Sequence, residues 1–415
     1  MHATAFVPTW PWLFPFALLL ASIAILPLAA SHFWESNLRK LGIALVLALP
    51  VFLLYVRHDP AALGHTAEEY VAFIVLLGSL FVISGGVLLT GDIEATPRVN
   101  TLFIAAGALL ASFVGTTGAS MLLIRPLLST NKERRHVVHT VVFFIFCVSN
   151  IGGCLTPLGD PPLFLGFLRG VPFLWTLRLA PAWFLTNGIL LLIYFLWDRA
   201  AVARETRQDR LRDRLEVRPL RMAGGRNLLL LLGILGCVAW LPFPTREGAM
   251  IALSVISLLI TPKGLRAANH FTFHPIIEVA ALFSGIFITM LPALAFLQAH
   301  AAAIGVRQPW HFFWATGTLS SFLDNAPTYL TFLALAQGLG LTPEVVGVTH
   351  RVLEGISLGA VFMGSMTYIG NGPNFMVKAI AEERGVRMPS FGGYVVYSAA
   401  VLLPLFVLVT AIFLL

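Results

Sequence analysis

The sequence predicts an all-α polytopic membrane protein built from two inverted-topology repeats, each with a re-entrant hairpin and a broken transmembrane helix. Three observations predict it. Of the 415 residues, 58% are hydrophobic and 11% charged, against about 45–50% and about 25% in soluble domains. Lys and Arg are crowded into a few loops, as membrane topology requires, so the net charge of +7 does not point to nucleic acid. Finally, TPLGDPP at Thr156–Pro162 is echoed by TYIGNGP at Thr367–Pro373. Each places a polar or charged residue among helix breakers in apolar surroundings.

Apolar stretches of about 20 residues, enough to cross the hydrocarbon, set the spans in order. In the first half they cover 11–30, 41–57, 66–90, 137–165 and 178–197. In the second they cover 227–242, 247–261, 275–297, 351–375 and 390–415. No Lys or Arg precedes the first. A cleaved signal peptide would carry a basic leading region, so 11–30 reads as a retained span. Two further apolar segments, 99–130 and 310–338, are interrupted by the turn-prone GTTGAS (115–120) and LDNAPT (323–328). Both read as hairpins that enter and leave on one side, which membrane depth tolerates only against protein or a water-filled cavity.

Threaded this way, 20 of the 27 Lys and Arg fall on one side and six on the other, with Arg125 inside the first hairpin. The basic side is cytoplasmic by the positive-inside rule, and a bacterial inner membrane is expected. The loop 198–226 holds nine arginines and five acids. It reads as a solvated cytoplasmic linker between repeat 1 (1–197) and repeat 2 (227–415), with a surface for anionic lipid as the alternative. Cys147, Cys154 and Cys237 have no metal-ligand spacing and read as small buried apolar residues.

Each half then reads as three spans, a hairpin, a broken span and a final span, and the halves start on opposite sides. Inverted repeats with interrupted helices are an architecture of secondary transporters, whose sites lie near the midplane. In SNIGGCLTPLGDPPLF (149–164) the glycines permit unwinding and the prolines forbid continuous helix. Unwinding leaves carbonyls at one half-helix end, which attract cations, and N–H groups at the next start, which attract anions. Ser149, Asn150, Thr156 and Asp160 add oxygen ligands suited to a hard cation such as Na⁺ (compare), and the second break offers Ser365, Thr367, Asn371 and Asn374.

An ionisable residue at membrane depth is a functional candidate by default, and Asp160 and Asp324 are the foremost. Desolvation disfavours a charged carboxylate, so such a group can exchange a proton for a metal ion; the competing role is a helix-capping Asp. Asn325 and Thr328 beside Asp324 are candidate site groups, as are Thr116, Thr117 and Ser120 in the first hairpin. The candidate Na⁺ ligands are Asp160, Asp324, Asn150 and Asn371. Glu278 reads as a proton relay or an interfacial acid, Glu354 as a partner of Arg351, and Arg125 as a hairpin anchor at the cytoplasmic interface. His136, His139, His270 and His274 look interfacial, and the tryptophans form the expected belt.

No Walker A sequence is present, so no ATP drive is indicated, and no enzymatic activity is expected. Intramembrane aspartyl proteolysis uses Gly-x-Gly-Asp, and here Pro157 stands at the first glycine. A passive channel would need no titratable group in the breaks. The reading is Na⁺/H⁺ antiport, with cation-coupled transport of citrate or another carboxylate as the alternative. The expected partners are lipid, small ions and, on the alternative, a carboxylate. No cofactor is expected beyond Na⁺ as a transported or coupling ion.

At GTTGAS, SNIGGCLTPLGDPP, DNAPT and GNGPN the chain resembles the ion-transporter superfamily. It looks closest to the NhaD-type sodium/proton antiporters and to a branch labelled as citrate transporters. The resemblance covers nearly the whole chain, with its specificity in those four stretches. It implies a scaffold around a moving transport domain, a homodimer and elevator-like alternating access. It also implies sites at Thr116–Ser120, Ser149–Asp160, Asp324–Thr328 and Thr367–Asn374. Dicarboxylate transporters of the superfamily carry Ser-Asn-Thr at both hairpin tips and this chain carries it at neither, which favours ion exchange.

Overall fold

Where apolar chain leaves water it must satisfy its own backbone, which favours helix throughout. The structure, a computed structural model, describes residues 6–415 and is mostly helical. The first half contains α1 (Phe14–Ala29), α2 (Asn37–His58), α3 (Pro60–Ser84), β1 (Leu88–Asp92), α4 (Pro97–Val114), α5 (Thr116–Thr130), α6 (Val138–Cys147), α7 (Pro161–Leu168) and α8 (Ala180–Ala203). Then come α9 (Arg207–Leu215) and β2 (Arg218–Ala223). The second half contains α10 (Arg226–Trp240), α11 (Thr245–Ile260), α12 (His274–Ile304), α13 (Pro309–Ser320), α14 (Asn325–Gly338), α15 (His350–Met363), α16 (Gly372–Glu383) and α17 (Phe391–Val409). Seven described helical stretches are long and apolar enough to cross a membrane, in α1, α2, α3, α4, α8, α12 and α17. The protein is an all-α integral membrane protein.

Several boundaries differ from those expected. The span expected at 66–90 ends at Ser84, after which β1 pairs antiparallel with β2 in the register Leu88↔Ala223, Thr90↔Arg221 and Asp92↔Arg218. The expected linker therefore contains an exposed helix and an exposed strand, and α8 runs into it as far as Ala203. The segment expected as a span at 247–261 is a helix of 16 residues, short for a perpendicular crossing. Conversely α4, expected as one leg of a hairpin, has 18 residues and could itself cross.

Charges gather at two ends. At one end Arg134 and His139 both hold buried Asp198 (2.5 and 2.8 Å), His136 meets Glu205 (3.1 Å), and Lys132 meets Asp92 (2.8 Å) and Glu216 (3.3 Å). Arg214 reaches Glu94 at 2.9 Å. At the other end Arg169 pairs with Glu69 (2.6 Å) and Arg178 with Glu354 (3.3 Å). The expected Glu354–Arg351 pair is thus corrected: Arg351 donates instead to the Phe413 carbonyl. Glu278 forms an ion pair with buried Lys40 (2.6 Å).

The core is woven from both halves. α5 packs on α16, and α14 packs on α7. α15 lies against α13 backbone to backbone: a Cβ at Gly355 or Gly359 would collide with the Pro309 or Phe313 carbonyl oxygen. In the first half a Cβ at Gly152 would stand 2.7 Å from the Ala108 carbonyl oxygen of α4.

Two outcomes follow from these placements. A Cβ at Gly159 would collide with the Gly153 carbonyl oxygen, whereas one at Gly372 meets nothing within 4 Å. Gly159→Ala should therefore destabilise the protein by about 3 kcal/mol or more while Gly372→Ala stays within about 1 kcal/mol, as thermal unfolding in detergent would record. Asp213 on α9 accepts the Ala95 N–H, and partial burial, reinforced by Glu133, Glu94 and Asp92, raises its carboxyl from 3.8 to about 6. Its folded form binds the proton more tightly, so its contribution is fully present below about pH 4 and lost as pH rises through about 6. Asp213→Asn should flatten that part of the stability–pH curve.

Candidate functional site

The two breaks fold alike. After α6 the chain passes through a tight turn at Ile151–Cys154, reaches extended backbone at Asp160 (φ −144°, ψ 140°) and starts α7. After α15 it passes through Gly364–Met366, reaches Asn371 in the same conformation (φ −151°, ψ 140°) and starts α16. Thr156 donates its hydroxyl to the Ser112 carbonyl, and Thr367 does the same to Ser321. Gly159 approaches Gly153, and Gly370 approaches Gly364, more closely than any other residue type would allow.

Four helix starts meet at one carboxylate. Asp160 and Asn371 precede α7 and α16, while Thr116 and Asn325 begin α5 and α14. The Thr116 hydroxyl donates to Asp160 Oδ1 at 3.1 Å, Asn371 Nδ2 donates to the same oxygen at 3.3 Å, and Asn325 Nδ2 donates to Oδ2 at 2.6 Å. All four residues are buried. The three partners are neutral, and among the described residues no ion pair reaches Asp160. The positive ends of the converging helix dipoles offset part of the cost of burying this charge.

A second layer of amides supports the first. Asn371 Nδ2 also donates to the Ser149 carbonyl (3.2 Å), and the Ser149 and Ser120 hydroxyls lie 2.8 Å apart. Asn150 Nδ2 donates to Asn374 Oδ1 (2.7 Å), and Asn374 Nδ2 donates to the carbonyls of Gly364 and Thr367. Two buried amide oxygens, Asn150 Oδ1 and Asn325 Oδ1, have no donor.

Other predicted residues take different parts. Asp324 is half-buried and caps α14 through the Ala326 N–H (3.1 Å), without contacting Asp160. Thr328 and Ser365 spend their hydroxyls on the carbonyls of Asp324 and Phe362, and Thr156 and Thr367 serve the turns described above. Thr117 is half-buried and lines, with Thr116 and Gly159, a cavity of about 70 Å³ walled by Leu77, Phe81 and Ile276. Among the described residues no three His, Cys, Asp or Glu side chains gather as a metal group.

Most carbonyls expected to be free for cations are occupied. Gly152 O accepts from Ser112 (2.5 Å) and Trp183 (3.2 Å), Leu155 O from Thr176 (3.0 Å), Ser365 O from Tyr394 (2.9 Å) and Met366 O from Ser398 (2.6 Å). None of these five donors stands out in the sequence. Hydroxyls and an indole on helices that merely pass a break carry no local signal.

A buried polar focus inside a bundle of membrane-crossing helices is what a membrane transporter requires. The chain belongs to the family whose model is described as "Putative citrate transport", which matches residues 5–414. It is also similar to uncharacterized transporters of Mycobacterium bovis and Mycobacterium tuberculosis, at 24% identity over 375 residues, covering 83% of this chain and 85% of each relative.

Removing the Asn325 amide strands one oxygen of a buried carboxylate. Asn325→Ala should cost about 1–3 kcal/mol, and the cost should shrink in the Asp160→Asn background, where no charged oxygen is stranded. A double-mutant cycle by thermal unfolding measures this, and strictly additive losses would contradict the contact.

Proposed function

We propose that the protein is a secondary active transporter that exchanges Na⁺ for H⁺ by alternating access, with Asp160 taking up one cation or the other. The observation that carries this reading is the Asp160 carboxylate itself, enclosed, held by three neutral donors and lacking a basic partner. An unpaired buried charge is costly, and a bound proton or metal cation removes the cost. The donor-free oxygens Asn150 Oδ1 and Asn325 Oδ1 offer the hard ligands that an alkali cation requires (compare). Asp324, at the tip beside Asn325, is the second carboxylate of the pathway. Na⁺ here is cargo rather than a cofactor.

On this reading the α4–α5 and α13–α14 pairs are re-entrant hairpins. Segments 1–197 and 227–415 are inverted repeats joined by 198–226, and the protein works as a homodimer. The matched backbone at Asp160 and Asn371 and the exchanged packing of α5 on α16 and α14 on α7 support the repeat. The end bearing β1, β2 and the arginine-rich segment faces the cytoplasm of a bacterial inner membrane.

The family match and the four converging helix starts favour a second reading, cation-coupled transport of citrate or another carboxylate. Against it, the cavity beside Thr116 and Gly159 has about 70 Å³ and no basic residue in its lining, room for a few waters.

Proteoliposomes with an imposed pH gradient and a trapped pH dye separate the two. Na⁺ alone should collapse the gradient for the wild type and fail to do so for Asp160→Asn. Silence with Na⁺ alone, followed by a response once citrate is added, would replace antiport with carboxylate transport.

A further inference from the structure

A cluster of cations lies away from Asp160, where α5 ends. Arg125 and Ser129 stand one turn apart on α5, and Lys132 follows just past its last residue. Arg384, at the end of α16, donates to the Ser129 hydroxyl at 3.4 Å. Across from them the β1–β2 ribbon brings Arg218 and Arg221, which together with Ser129, Lys132, Thr90 and Asp92 enclose a pocket of about 480 Å³.

Three of the nearby acids are committed to one cation, while Glu383, beside Arg384, lies near Arg125 without forming an ion pair. Asp92, Glu133 and Glu216 all bind the Lys132 ammonium, at 2.8, 3.1 and 3.3 Å. No carboxylate of the described residues reaches Arg125, Arg218, Arg221 or Arg384 within ion-pair distance. Arg125 adds an independent sign of a missing partner: its Nη1 is buried and has no acceptor. A guanidinium nitrogen taken out of water without an acceptor is costly, and an oxoanion is the ligand whose geometry it fits. The ribbon also carries exposed Leu220 and Met222, and α9 carries exposed Leu211 and Leu215. A pocket carrying Lys132, Arg218 and Arg221, with exposed apolar side chains on the same ribbon of an integral membrane protein, matches a lipid headgroup with its acyl chains alongside better than a freely dissolved anion.

We propose that the pocket between the end of α5 and the β1–β2 ribbon binds the phosphate headgroup of an anionic phospholipid through Arg218, Arg221 and Arg384, with Arg125 completing the cluster. The site is connected to the transport chemistry by two rods. α5 starts at Thr116 and α16 starts just after Asn371, both donors to Asp160; α5 ends at this pocket, and Arg384 just past α16 reaches Ser129 in its lining. A headgroup bridging their ends and the ribbon steadies the spacing of their starts.

The test titrates the purified full chain in detergent with short-chain phosphatidylglycerol, phosphatidylcholine, inorganic phosphate or citrate, and follows the thermal midpoint. Phosphatidylglycerol alone should raise the midpoint, and saturably. Arg218→Gln/Arg221→Gln, two exposed side chains, should keep the lipid-free midpoint and weaken the response about thirtyfold, from about 1 kcal/mol per Arg near an anionic headgroup. Arg125→Gln should weaken it independently. Equal responses to phosphatidylcholine, no response, or a response unchanged in these variants would overturn the site. Equal responses to phosphate or citrate would overturn the lipid assignment in favour of a soluble oxoanion.

Discussion

A single carboxylate without a counter-charge organises the interior of this protein. Asp160 is withdrawn from solvent, and its two oxygens are held by a hydroxyl and two amides from three other helix starts. Bringing four helix starts to one point requires both long helices to be interrupted, so the chain must unwind twice within the membrane. Unwinding frees carbonyls that lipid cannot satisfy. The hydroxyls of Ser112, Thr176, Tyr394 and Ser398 and the indole of Trp183 exist, in structural terms, to take them up. Much of the polar chemistry in the bundle is therefore a consequence of where one acid sits.

The halves contribute two residues each, only one of them an acid, to a shared focus. Thr116 and Asp160 come from the first, Asn325 and Asn371 from the second, and neither half can assemble the carboxylate's surroundings alone. The packing has the same logic, since the helix after each break lies on the tip-bearing helix of the other half. An amide at 371 where the first half has an acid keeps a second charge out of direct contact with Asp160. A second carboxylate at 3.3 Å from the first would repel it strongly in so dry a place.

Helix breakers in apolar sequence are a strong local signal, which is why both breaks, and the interruptions before Thr116 and Asn325, are legible in the amino-acid sequence alone. Asp160 and Asp324 look equivalent there because burial and partners are tertiary properties. The fold separates them into an enclosed group and a helix cap. The β1–β2 ribbon is hidden in the sequence because LLTGD continues an apolar run and its partner lies about 130 residues away, beyond any periodicity argument. Nearness along the chain assigns Glu354 to Arg351, but the fold brings Arg178 to it while Arg351 turns to the Phe413 carbonyl. The carbonyl-capping residues are illegible for the same reason as the ribbon: a serine on a passing helix looks ordinary until its neighbour is known.

The glycines at 355 and 359 carry a mechanical implication. With their backbone pressed on that of α13, and Gly152 likewise pressed on α4, no side chain is left between each tip-bearing pair and its break to act as a cushion. Such joints have no slack. Close backbone contact there leaves little room for α15 to shift independently of α13, or for the first break to shift independently of α4.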